Sequence, residues 1–240
     1  MKYIINEHQY KLLTEEEDIL RIPFVAFGNE WDVLQRFLER RGNPPYMIMD
    51  DLDLEYSNVE DLGNLTSVGG DLNLAFTKIQ SLGNLTSVEG DLFLGNSKIQ
   101  SLGNLTSVGG DLDLEYSNVE DLGNLTSVGG YLNLEGSTIE SLGNLTSVGG
   151  DLDLRDTDIK SLGNLTSVGG DLSLYGTEIE SLGNLTSVDG DLGLTDSSIE
   201  DLGNLTSVGG DLYLEITLLS EKYTEKRVRS MVEVGGKVYL

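Results

Sequence analysis

The chain has 240 residues, a formal net charge of −26 at pH 7 and no cysteine. The missing cysteines exclude a disulfide framework and a thiolate metal site, and the surplus of acid argues against binding to nucleic acid or an anionic membrane. No apolar run approaches the length of a membrane span, and the opening MKYIINEHQYKLL lacks the apolar core of a secretory signal, so the expected location is cytoplasmic or virion-associated.

Residues 1–46 do not repeat and read as an N-terminal helical cap. Asn6 with Gln9, and Thr14 with Glu17, have capping-box spacing, which predicts one or two short helices before Leu20. Asn29 followed by acidic residues predicts the start of a further helix, with Gly42 just beyond its end. Trp31, Leu34, Phe37 and Leu38 share one face of it. Pro44-Pro45 then blocks helix and leads into an extended entry strand over 46–49. A solenoid end needs such a cover; a separate binding domain is the alternative.

Residues 51–210 are eight tandem units of 20 residues, beginning DLDLEYSNVEDLGNLTSVGG. Each keeps the frame x-Leu-x-Leu-x-x-Ser/Thr-x-Val/Ile-x-x-Leu-Gly-Asn-Leu-Thr-Ser-Val-x-Gly. A fixed period of this length predicts a solenoid over 47–216, the eight units plus a partial ninth. Numbering each unit from its first residue, the leucines at positions 2 and 4 alternate with polar neighbours, which is strand periodicity. The apolar residues at 9, 12, 15 and 18 recur every third residue, which suits a tight, irregular or 3₁₀-like return path. The expectation is a mainly β repeat solenoid with one parallel sheet of about nine short strands. It should coil to the right, because parallel crossovers almost always do.

After Leu214 the frame lapses, and 217–240 reads as a C-terminal cap. Residues 221–232 look helical with Thr224 as N-cap. Lys222, Lys226, Arg227 and Arg229 cluster there and offset the acidic body. Residues 232–240, with Gly235-Gly236 in the middle, read as a small hairpin.

The string Leu72-x-Leu74-x-x-Thr77-x-Ile79-x-x-Leu82-x-x-Leu85 resembles the leucine-rich repeat family, with Ser or Thr where that family usually has Asn. The Asn-Leu-Thr stretch is similar to bacterial internalin-type repeats, and the Val-Gly-Gly-Asp-Leu-x-Leu junction to the receptor L-domain branch. The resemblance covers about 165 residues and implies a leucine-rich-repeat-like β-solenoid. It names no partner, because the family binds many unrelated ones.

Stacking turns each repeat position into a column. The Asn column, Asn64 to Asn204, is expected to bond turn backbone and its own neighbours. It also matches the glycosylation pattern, but glycans would crowd at coil spacing. The Ser/Thr column at position 7 reads as a structural hydroxyl ladder. The first position is aspartate in every unit but one, where Tyr131 stands. Like charges at coil spacing repel by roughly 1 kcal/mol per pair. Bonds to N–H groups of the Gly-Gly bend are the expected offset. Ca²⁺ held between coils is the minor option, and no other cofactor is expected.

Residues 51–216 hold 29 acids against four bases, so the solenoid body is a polyanion suited to a basic protein partner or simply to solubility. The outward positions 3, 5 and 6 vary in size and charge while the frame barely changes, which predicts a recognition surface; tolerance of change at exposed sites is the competing explanation. The candidate contact residues are Glu55, Tyr56, Phe76, Phe93, Glu115, Tyr116, Arg155, Tyr175 and Tyr213. His8 is the sole histidine, and no nucleophile elbow or phosphate-cradling loop is present. The expected function is therefore non-enzymatic protein recognition. An acidic mimic that occupies a nucleic-acid-binding protein is the second reading, and a structural spacer the third.

Overall fold

The computed structural model describes residues 19–240. The helices expected before Leu20 lie outside the described residues, as does His8. Beyond the N-terminal cap the chain is a parallel β-solenoid whose coils bury the same side chains turn after turn. In the fourth unit Leu112, Leu114, Val119, Leu122, Leu125 and Val128 are at most 2% exposed. Their equivalents in neighbouring coils lie directly above and below, so the core is one continuous spine.

The solenoid has two parallel sheets, where the sequence suggested one. Positions 2 and 3 give nine strands, Leu52–Asp53 to Leu212–Tyr213, and Val238–Tyr239 adds the tenth of that sheet. The other sheet has eleven strands, most of them the Ser-Val pairs at positions 17 and 18. Ser127 pairs with Ser107, and Leu132 with Leu112. The reason is geometric. A shift of one unit places every backbone position opposite its own copy, so any extended segment finds a parallel partner. The Thr-Ser-Val run is extended and partly β-branched, and it pairs instead of forming a 3₁₀ return.

The glycine that ends each unit is required by close approach. A Cβ added at Gly130 would collide with Asp111 Oδ1 and press on the Gly110 backbone. Gly143 differs: it has φ 55° with nothing within 4 Å of an added Cβ. Gly130→Ala is expected to lower stability by roughly 2–3 kcal/mol, against about 1 kcal/mol for Gly143→Ala. Urea titration of the two variants checks the order.

The N-terminal cap contains the helix Trp31–Glu39, which buries Leu34 and Leu38. Trp31 and Phe37 are partly buried against the core. Asn29 does not cap this helix: it holds φ 57°, and Glu30 stands at the N-cap without a side-chain bond. The left-handed turn at Gly28-Asn29 takes the place of the cap. Tyr46–Ile48 is the expected entry strand, and Leu20–Ile22 pairs outside it.

At the other end two short helices, Leu218–Lys222 and Glu225–Val228, replace the single one expected. Thr217 and Thr224 each cap one, so the second cap interrupts the run. The expected hairpin does not form. Glu233–Val234 joins the eleven-stranded sheet and Val238–Tyr239 the ten-stranded one, both in parallel. Gly235-Gly236 makes the same corner as the Gly-Gly that ends six of the eight repeats, so these residues are one more coil.

Candidate functional site

The aspartate column is satisfied by backbone. Asp51 Oδ1 accepts from Asp71 N at 3.0 Å, Asp91 Oδ1 from Asp111 N at 2.8 Å, and Asp211 Oδ1 from Lys237 N at 2.7 Å. The donor is the first-position amide of the next coil and not the Gly-Gly bend, because stacking brings that amide directly over the carboxylate. Among the described residues no group of three or more His, Cys, Asp or Glu side chains could hold a metal ion. The Asn column behaves as expected: Asn84 Nδ2 donates to Asn64 Oδ1 at 3.0 Å and Asn104 Nδ2 to Gly83 O at 3.1 Å. The position-7 hydroxyls do not form a ladder. Thr77 and Thr157 donate to Leu74 O and Leu154 O, three residues back, at 2.6 and 2.7 Å. The ladder between coils belongs to the position-16 threonines instead, as in Thr106 Oγ1 donating to Thr86 O at 2.9 Å.

A shallow trough of about 780 Å³ runs along the eleven-stranded sheet, floored by the Ser, Val and Gly columns and ended by Glu89 and Asp189. Its floor is nearly the same in every coil and carries no functional group beyond hydroxyls. The varied chemistry lies on the other sheet and at the corner after it.

That corner is position 6. Tyr56, Phe76, Tyr116 and Ile216 hold φ of 54°, 57°, 51° and 59° there. Asn96, Asp156, Asp196, Gly136 and Gly176 occupy the same corner in other coils with the same sign of φ. The left-handed region suits Gly, Asn and Asp, and is unfavourable by about 1–2 kcal/mol for other residues. Tyr56, Phe76, Tyr116 and Ile216 nevertheless stand 69, 48, 55 and 76% exposed. Ile216 is β-branched, so its strain is the greatest. Ile216→Asn is expected to raise the thermal midpoint by roughly 2–4 °C, as read by calorimetry.

Seven of the nine candidate contact residues fall into three groups. Tyr56 and Phe76 stack, with ring centroids 4.7 Å apart and 15° between planes; Glu55 is the exposed neighbour of Tyr56. Two coils on, Tyr116 lies against Gly136, where a side chain would strike its ring. Beside it is an acidic group. Burial, together with Asp113, Glu135 and Asp153, raises the pKa of Glu115. Arg155 answers part of that charge, with Nη2 2.6 Å from Asp153 Oδ2 and 2.7 Å from Glu135 Oε2. Tyr131, which sequence reasoning passed over as an interruption, sits among these acids; burial and then Asp153 push its pKa up to about 12. At the far end Tyr213 stacks on Tyr239 at 4.7 Å, and both hydroxyls approach Asp211 Oδ2. Phe93 is half-buried on its strand and Tyr175 stands exposed, and neither joins a group. Tyr239 was missed as well. Its signal was the match of Glu233-Val-Gly-Gly-Lys-Val-Tyr-Leu240 to Ser207-Val-Gly-Gly-Asp-Leu-Tyr-Leu214.

No protein-family model, no curated protein and no solved structure matches the chain. No helix among the described residues is long and apolar enough to cross a membrane.

Proposed function

We propose that the chain is a non-enzymatic, leucine-rich-repeat-like scaffold that binds a protein partner through the outer face of its ten-stranded sheet and the corner beside it. One observation carries the reading. Tyr56, Phe76 and Tyr116 are exposed at a left-handed corner where cheaper residues serve in other coils. Local strain held at an exposed aromatic is a mark of use rather than of stability. Aromatic anchors surrounded by polar groups are the usual source of binding energy at protein interfaces. Glu55 beside Tyr56 and Glu115 beside Tyr116 favour a partner with basic side chains.

The test is capture of partners from the source cell by the native chain and by Phe76→Asn/Tyr116→Asn, read by mass spectrometry. A partner lost by the double variant supports the reading. The polyanion reading predicts different behaviour: capture that survives the double variant but collapses steeply with added salt.

A further inference from the structure

In the eleven-stranded sheet each coil passes hydrogen bonds to the next. Val188 O accepts from Gly209 N and Gly190 O from Gly210 N, both at 2.9 Å. One coil later Val208 O accepts from Gly235 N at 2.9 Å and Gly210 O from Gly236 N at 2.8 Å. The equivalent acceptors in the last described coil are Val234 O and Gly236 O. Their donor is not a further coil but a side chain. Arg229 Nη1 donates to Val234 O at 2.9 Å and Nη2 to Gly236 O at 2.8 Å. Nε donates to Glu225 Oε1 at 2.8 Å, which latches the guanidinium in place. A planar guanidinium offers its donors in a fixed fork, and here that fork takes the place of two backbone amides.

We propose that Arg229 closes this edge of the sheet, and that without it the edge adds a second copy of this chain, head to tail. An open strand edge is a template for another strand. The second copy has the matching element. Among the described residues Leu20–Ile22 is the outermost strand at the opposite end of the same sheet. Leu20 N donates to Pro45 O, and Ile22 O accepts from Met49 N. Backbone groups alternate in direction along a strand, so those of Arg21 point away from the solenoid. The sheet is parallel throughout, so joining the two edges continues it in the same sense. Such a contact is heterologous and does not close on itself, which makes linear stacks the product.

The experiment is sedimentation velocity on the full chain over a concentration series. Native protein is expected to keep one mass. Arg229→Ala is expected to rise at least about twofold in weight-average mass as concentration increases. Adding Arg21→Pro, which removes the outward N–H at the opposite edge, is expected to return the mass to the native value. Two results overturn the proposal: Arg229→Ala folded and unchanged in mass at every concentration, or association that persists undiminished when Arg21→Pro is added. Should Arg229→Ala fail to fold, Glu225→Ala decides, because it frees the guanidinium without removing it. Its mass must also rise with concentration, by a smaller factor, or the proposal falls.

Discussion

Alanine at Leu125 is expected to lower the thermal midpoint by roughly 4–20 °C. Leu125 is fully buried in a central coil, with Leu105 and Leu145 as its copies on either side, both also fully buried. Leu→Ala at such a site costs about 2–5 kcal/mol, and each kcal/mol moves the midpoint of a chain of this size by roughly 2–4 °C. The spread depends on how far neighbouring coils settle into the space. In a solenoid they settle little, because each is held in register by the sheets on two sides. Stability in such folds adds along the stack, coil by coil and interface by interface. A central loss therefore weakens two interfaces. Leu205, 5% exposed and nearer the C-terminal cap, is expected to cost less on the same substitution. Calorimetry on both variants measures the difference, and equal melting of Leu125→Ala and native protein would contradict a continuous spine.

Replacing Phe76 and Tyr116 together by asparagine is expected to abolish partner capture while leaving the fold at least as stable. Each aromatic, if it anchors the interface, is worth about 2 kcal/mol or more, roughly a 30-fold loss of affinity. Asparagine already stands at this corner at Asn96 with φ 57°, so the backbone accepts it. The lost Tyr56–Phe76 stacking, worth about 0.5–1.5 kcal/mol, is offset by the relief of two left-handed aromatic residues. Loss of binding without loss of stability separates a contact residue from a structural one. Ser147→Lys, on the opposite sheet, serves as the control and is expected to bind as the native chain does. If the double variant bound normally, the corner aromatics would be ornaments of the scaffold and the recognition face would lie elsewhere.

Much of the fold was legible because one constraint repeats. A leucine or valine at each inward position has the same neighbours in every coil, so its spacing reports directly on what the backbone must do. The nine strands at positions 2 and 3 followed from the alternation of Leu72 and Leu74 with polar neighbours. The second sheet was not legible from spacing. Val68, Leu65 and Leu62 recur every third residue, which also describes a helical turn, and only the stacking of copies supplies the parallel partner that makes Ser67 and Val68 a strand. The last coil was hidden for another reason. Glu233 to Leu240 keeps the corner of the repeat but sits 26 residues after its equivalents instead of 20, with two helices inserted.

For the candidate site, the sequence identified which columns vary and which are aromatic. It did not separate position 6 from positions 3 and 5, since a left-handed corner leaves no trace when its occupant is Tyr or Phe. The seating of Tyr116 on Gly136 was likewise invisible, because it joins residues one coil apart whose side chains interact only after stacking.

The repeat by itself determined that this chain is a stack, which residues fill its spine and that its body is anionic, because burial and charge follow residue type and period. Only the tertiary structure decided that there are two sheets, that the aspartates are held by the amides of the next coil and that Arg229 donates to the carbonyls of Val234 and Gly236. Each of those rests on hydrogen bonds to backbone groups, and backbone groups are the same whatever side chains a sequence spells.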